Sequence, residues 1–595
     1  MDQNNNYNLL NKSMPRQLLH VYMELTFREV SYVSSLSQLL HIRFLCKPYT
    51  RMFFLISYAL MILCMTITFV ETIWKNLSFL KYKVREKSDT QSGWTEKIKS
   101  IQNEVYKEFN VQDLLASQCQ DHLLAADPSK STIEIKEQHK IAVGDSIDIK
   151  LIMFDGYGNM KTKGGDYLRT RLYNDNLKAY ANGEVLDHKN GSYTIRHNAL
   201  WAGQAKVEIE LLYPKEILSA MIRRRHHWHF KDIRAIFESF NTSESAQCHS
   251  DKYVFERDKK GSDLCNFSYW NKTMPWYCLK PVDRTLSCND LKKYERNWVG
   301  YLEGLNECEL RLVKRDQYRV GDIINIRVEA SKRAHKQPND EMQPCHTYNR
   351  SKLWFMKQST GYFHQGKWIL THCEGKIRNV GECLRNTTVY LWGDSTSLQW
   401  LAYLQSSNLS LGCTLKRMSG ERWHTRYEAY CLQYNIWIIY IPHNIPAVAG
   451  GVSNMSSYFS KTLPEQVKDF KNTSKRIVIL HIYSHLQIER IQFFIANVLA
   501  LRYYLEKLEK MDQTKILIKL PYTHRDEGIN GWTIRQPDYI GFLYESIIRK
   551  AFTGMHHFVI ALNNKDITIS TKNIKLHPEN IVITAMVEQF LYYVC

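Results

Sequence analysis

At 595 residues the chain is too long for one ordinary domain, and its 44% hydrophobic content is that of a globular protein with several cores, not a disordered one. The formal charge of +19 would suit nucleic acid or an anionic surface. Lys and Arg are dispersed, however, with only short clusters such as Arg223-Arg224-Arg225, so a basic solvated surface is the simpler reading.

Residues 1–51 read as a short cytosolic tail. Residues 52–70 carry no charge and are long enough for a helix to span the hydrocarbon core, which predicts a single transmembrane signal anchor. Lys and Arg flank both ends (Arg43, Lys47 and Arg51; Lys75, Lys81 and Lys83), so charge alone orients the span weakly. Beyond it lie twelve cysteines without a C-x-x-C pair, and no metal site is expected. Glycosylation sequons begin at Asn76, Asn190, Asn241, Asn266, Asn271, Asn349, Asn386, Asn408, Asn454 and Asn472. Dispersed cysteines with dense sequons favour an oxidising lumen, the Golgi or the cell surface, and disfavour nucleic acid as a partner.

Residues 71–128 are charged and polar, a stem. From 129 to 230 the apolar period is two, as in Ile147, Ile149, Leu151 and Met153, with Gly-, Asn- and Asp-rich turns between runs. This predicts an antiparallel β-sandwich of immunoglobulin-like class. Residues 231–340 hold a cysteine-rich insert and a returning strand near Val320 to Arg327. From 341 to 595 strands and helices alternate. Strands are expected at 389–392, 436–441, 477–482, 516–520 and 558–562, and helices at 397–405, 487–510, 537–552 and 578–593. That pattern implies a mostly parallel sheet between helices, with its active site beyond the carboxyl ends of the strands.

At one such end stands Gly393-Asp394-Ser395, between an apolar run and a helical pattern of Leu398, Leu401, Ala402 and Leu404. A hydroxyl there meets the unpaired N–H groups of a helix N-terminus, which steady a developing oxyanion. Ser395 is the candidate nucleophile, though serine also caps such corners without chemistry. The similar Gly144-Asp145-Ser146 precedes an alternating strand pattern and is set aside. A serine nucleophile needs a base oriented by a carboxylate. His577, just before the last helix, and Asp566, at the end of the last strand, are the candidates, and His485 is a further residue for the cleft. Each is equally compatible with a surface role.

The run YLWGDSTSLQW at 390–400, with HIYSHLQIE, KDITI followed by LHPE, and the ending QFLYYVC, resembles the neurexophilin and PC-esterase domain family. The resemblance covers the chain from the span to Cys595. It implies a neurexophilin-like β module and a three-layer α/β domain of the GDSL/SGNH superfamily. It also implies Ser395 as nucleophile with its own N–H in the oxyanion hole, Gly393 and Asp394 shaping that corner, and His577 as base. Asp566 matches a family aspartate. The implied activity is lumenal O-acetyl transfer to glycans such as sialic acid, with acetyl-CoA as donor; water as acceptor would make it an esterase. Leu398 stands where relatives often carry Arg, Lys565 where they tend to carry Trp, and Ile574 where the superfamily spacing would put an Asp three before His577. The competing class is a non-catalytic membrane glycoprotein that binds a cell-surface partner through its β module, as neurexophilins bind neurexins. Such binding should persist without residues 341–595.

Overall fold

The computed structural model describes residues 95–595 apart from 136–139, 228–232, 250–251, 253–254, 256–262, 269–275, 297–303, 316–317, 331–341, 357–358, 407–408, 418–425, 443–474, 489, 510–512 and 525–536. The expected tail, the span at 52–70, Asn76, Asn271, Asn408, Asn454 and Asn472 lie outside these residues. Among the described residues no helix is long and apolar enough to cross a membrane. The remaining sequon residues, Asn190, Asn241, Asn266, Asn349 and Asn386, are all exposed.

After a helix over 95–108 and a short one at Val111–Ala116, which bury Ile101, Val105, Val111 and Leu114 in the main core, eight strands follow: β1 (Ala126–Ile135), β2 (Ile141–Ala142), β3 (Ser146–Asp155), β4 (Tyr167–Asn174), β5 (Ala179–Asn182), β6 (Glu184–Asp187), β7 (Ser192–Asn198) and β8 (Gly203–Tyr213). In β3 every second side chain, Ile147, Ile149, Leu151 and Met153, is buried, as the period of two requires. Helix α1 (Lys215–His227) then leads into a small antiparallel sheet of β9 (Ile233–Ser239), β10 (Thr242–His249), β11 (Leu264–Asn266), β12 (Tyr277–Leu279) and β13 (Leu291–Arg296), in the order β11-β12-β10-β9-β13. It has a core of its own around Phe237, Trp276 and Tyr294, stapled by Cys248–Cys278 and Cys265–Cys288.

Three later strands return to the first module: β14 (Ile324–Glu329), β15 (Gly361–His364) and β16 (Lys367–Leu370). They complete a seven-stranded sheet, β16-β15-β5-β4-β8-β14-β2, opposite a four-stranded one, β1-β3-β7-β6. Ile149 and Tyr193 from the smaller sheet share a core with Leu172, Val207 and Ile326 from the larger. Each large apolar side chain so buried contributes about 1.5–3 kcal/mol. Gln365 and Gly366, at φ 52° and 77°, make the two-residue turn that joins β15 to β16. These two strands lie within the segment expected to form the α/β domain, so the sheet pairing runs across residue 341.

The second architecture begins at β17 (Thr387–Gly393) and α2 (Ser395–Leu404). Next come β18 (Cys413–Arg417), β19 (Tyr427–Cys431), β20 (Ile436–Pro442), β21 (Lys475–Leu480), α3 (Ile491–Glu509) and β22 (Thr514–Lys519). The chain finishes with α4 (Asp538–Ala551), β23 (Val559–Leu562), α5 (Lys565–Ser570) and α6 (Asn580–Val594). The sheet order is β18-β19-β20-β17-β21-β22-β23, parallel from β20 to β23, with β18 and β19 an antiparallel extension stapled by Cys413–Cys431. The parallel strands are near-continuous apolar runs because helices cover them. The strand order reverses beside β17, so right-handed crossovers place α2 on one face and α3 and α4 on the other; at such a reversal a ligand crevice is expected at the carboxyl ends of the strands.

All twelve cysteines beyond the expected span are paired, the rest as Cys119–Cys308, Cys345–Cys373 and Cys383–Cys595. Six disulfides belong to the oxidising secretory pathway. β15 and β16 bear on the expected independence of the β module: a chain ending at residue 340 would leave β5 as an open edge and strip the Phe363 ring from Tyr180. Such a chain is expected to be retained and degraded in the secretory pathway. Pulse-chase secretion at the level of the full ectodomain would show that the module folds alone.

Candidate active site

The turn at Gly393-Asp394-Ser395 is built by close packing. A Cβ on Gly393 would lie 2.5 Å from Ser397 Oγ and 2.8 Å from His481 Cβ, so glycine alone lets β17 run this close to the segment after β21. Asp394 is the N-cap of α2: its Oδ1 accepts from the Thr396 N–H at 2.9 Å and from the Thr396 hydroxyl at 2.6 Å. Ser395, the first residue of the helix, is half-buried, and its N–H is among the donors that a helix start leaves without an intrahelical partner.

His577 comes to this turn from a sequence distance of 182 residues, with its Nε2 2.7 Å from Ser395 Oγ. The loop that carries it is fastened on several sides. Tyr522 donates its hydroxyl to the Leu576 carbonyl at 2.5 Å, and Gln399 of α2 donates to the Pro578 carbonyl at 3.2 Å. Asn573 donates to the Thr523 and Lys575 carbonyls, each at 2.9 Å. Lys572 reaches out of the loop to β8, 2.6 Å from Glu208 and 2.9 Å from Glu210. Desolvation holds the His577 pKa below the usual histidine value; the Asp394 charge opposes that shift and the Lys519 charge adds to it.

The structure separates Asp566 from this pair. Helix α5 replaces the expected strand end, and both carboxylate oxygens of Asp566 are used elsewhere. Oδ2 accepts from the Thr360 N–H and hydroxyl, each at 2.8 Å, and from Asn563 Nδ2 at 2.9 Å; Oδ1 accepts from Asn182 Nδ2 of β5 at 3.0 Å. Burial raises its pKa, partly offset by Lys565 and these donors. Asp566 therefore ties the α/β domain to the β module, and these carboxylate hydrogen bonds go to Thr360, Asn563 and Asn182 rather than to His577. His485 falls in the short turn Ser484–Ile488, and its side chain lies outside the described residues.

Two residues that sequence reasoning missed stand directly behind the turn. His481, fully buried, donates from Nδ1 to the Lys519 carbonyl at 2.8 Å and places Nε2 3.5 Å from Asp394 Oδ2. Lys519, also buried, sets its ammonium 2.7 Å from Thr396 Oγ1 and over the rings of Trp400 and Tyr522, at 5.1 and 5.4 Å from their centroids. The signal for both was a charged or polar residue closing an otherwise apolar strand, as in Ile516-Leu517-Ile518-Lys519.

Asp566→Ala should lower stability by about 2–4 kcal/mol, because it leaves buried donors unpaired. The reactivity of Ser395 per folded molecule should stay within a few-fold of wild type. Thermal melting together with fluorophosphonate labelling checks both parts.

A neurexophilin family model matches residues 118–303, which takes in most of the first module and the cysteine-rich sheet. A model for the C-terminal domain of NXPE family member 4-like proteins matches residues 368–595. Among solved structures, a purine nucleoside phosphorylase from Toxoplasma gondii in complex with immucillin-H is similar at 9% identity, over 36% of this chain and 94% of that chain. Its TM-score of 0.16 carries no argument about fold or function. The two family matches show what the sequence resembles: a segment similar to neurexophilin is followed by one similar to the C-terminal domain of NXPE family member 4-like proteins.

Proposed function

We propose that the chain is a serine-dependent O-acyltransferase of the SGNH type that works in the lumen of the secretory pathway, anchored by residues 52–70. Its acceptors on this reading are glycans of glycoproteins, with sialic acid the first to test, and its donor is an acetyl thioester such as acetyl-CoA. The observation that carries the proposal is the 2.7 Å contact between Ser395 Oγ and His577 Nε2 at a helix start, beyond the carboxyl end of a parallel strand.

In the first half-reaction Ser395 Oγ attacks the donor's acetyl carbon while His577 Nε2 takes the hydroxyl proton. The negative charge on the carbonyl oxygen develops beside the N-terminus of α2, where the Ser395 N–H and the helix dipole favour it. The thiol leaves with the proton from His577, and the acetyl group remains on Ser395. A sugar hydroxyl then attacks the ester, giving its proton to His577, and Ser395 is released with its own proton restored. Water in place of the sugar gives hydrolysis, so occupancy of the acceptor side separates transferase from esterase.

The neurexophilin match favours a second, non-exclusive reading in which the β module binds a surface glycoprotein. Its ties to the α/β domain through Asn182, Glu208 and Glu210 would then hold substrate and site in one body.

The deciding measurement is mass spectrometry of sialylated glycans from cells that express the full chain or Ser395→Ala at matched abundance. A serine-dependent gain in O-acetyl groups is the expected result; a serine-dependent loss would mean an esterase, and no difference would move the reading to partner binding. Ser395→Ala and His577→Ala should each lower turnover by at least about 10³-fold. His577 must be neutral to accept a proton. Because its folded pKa lies below the ordinary value of 6.5, the acid limb of kcat/KM should fall below pH 6.5, leaving activity in a mildly acidic lumen.

A further inference from the structure

We infer that Lys519 is a positioning residue of this site, one that holds the nucleophile turn through Thr396 and lends it a buried positive charge. The inference rests on the reading of Ser395 as nucleophile. The residues on either side of that serine belong to one closed ring of contacts. The Lys519 ammonium donates to Thr396 Oγ1, the Thr396 hydroxyl and N–H go to Asp394 Oδ1, Asp394 Oδ2 faces His481 Nε2, and His481 Nδ1 returns to the Lys519 carbonyl. The ammonium cannot move without disturbing the hydroxyl that fixes the α2 cap.

Packing alone does not call for a lysine here. Between the Trp400 and Tyr522 rings a methionine of similar length would fit without the cost of burying an ion. The charge must therefore be offset, and the offsetting group is Asp394, one residue from Ser395. Burial brings the Lys519 pKa down to about 8, with Asp394 opposing, so the ammonium keeps most of its charge at neutral pH. That charge acts on the reacting pair in two ways: it favours the neutral, proton-accepting form of His577, and it favours negative charge at the turn. Among the described residues, the other titratable groups facing this space are Tyr440 of β20, Tyr483 after β21, Tyr522 and His524 after β22, and the buried ion pair of Arg169 with Asp538 beside His524. The three tyrosine pKa values are raised by burial, and that of His524 is lowered by it to about 3, so these four groups stay neutral through the working range.

The test is the rate of Ser395 phosphonylation by a fluorophosphonate probe across pH, on the full ectodomain. In that reaction Oγ bonds to phosphorus, fluoride leaves and His577 takes the proton. Lys519→Met should react at least about tenfold more slowly at pH 7, with its acid limb about half to one pH unit higher. Lys519→Arg, which keeps the charge, should hold the wild-type acid limb. Above pH 8 the wild type should lose reactivity as Lys519 loses its proton, whereas Lys519→Arg should not. Lys519→Met matching wild type in rate and limb overturns the inference, as does Lys519→Arg sharing the wild-type alkaline loss. The second comparison decides alone if the methionine variant is not secreted. Failure of the wild type to label, with Ser395→Ala as control, would instead overturn the nucleophile assignment.

Discussion

A carboxylate removed from water must be met by donors or by opposite charge, and the Ser395 corner is arranged around meeting that demand at Asp394. Its neighbours in the chain supply two donors, the segment after β21 brings His481 to its other oxygen, and β22 ends on Lys519. Three adjacent parallel strands thus converge on one side chain. The requirement for Gly393 follows from the same convergence, because the segment after β21 can approach β17 only where no Cβ intervenes. The half-buried Ser395 sits at the rim of this packed interior, against a set of charges that cannot reorganise freely.

The two modules form one continuous structure at their seam. Asp566 is shared between α5, the Thr360 backbone and Asn182 of β5, and Lys572 carries a charge from the His577 loop to Glu208 and Glu210 of β8. Arg171 completes that cluster through its 2.7 Å pair with Glu208. The loop that carries His577 is thereby braced against a sheet formed largely by residues more than 300 positions earlier. A β module used only as a detachable recognition domain would need none of these contacts.

Much of the α/β domain was legible because its signals are local. Val389, Leu391, Ile438, Val478 and Ile516 are core residues of fully covered strands, and such strands announce themselves as apolar runs. The serine corner was legible for the same reason, since strand, turn and helix adjoin. The roles of Asp566, Lys519 and His481 were not, because their partners are remote: Asn182 lies 384 positions from Asp566, and Thr396 lies 123 from Lys519. The β18–β19 hairpin escaped notice because the exposed Thr414 and Leu415 give no alternation. Strands β15 and β16 carry ordinary strand chemistry, yet nothing local says that their sheet partner is β5.

That interleaving sets an order on biosynthesis. The cysteine-rich sheet closes on itself with disulfide separations of 30 and 23 residues, and its own core allows it to form while the rest of the chain is still arriving. The larger β sheet must wait, because β14, β15 and β16 emerge only after that sheet has passed. Cys119–Cys308, with a separation of 189, spans the whole excursion. The unfinished β5 and β8 edges therefore remain open through a long stretch of synthesis, when unpaired strands are most prone to wrong partners. The order in which the strands are encoded thus delays completion of the larger sheet until after residue 370 has been made.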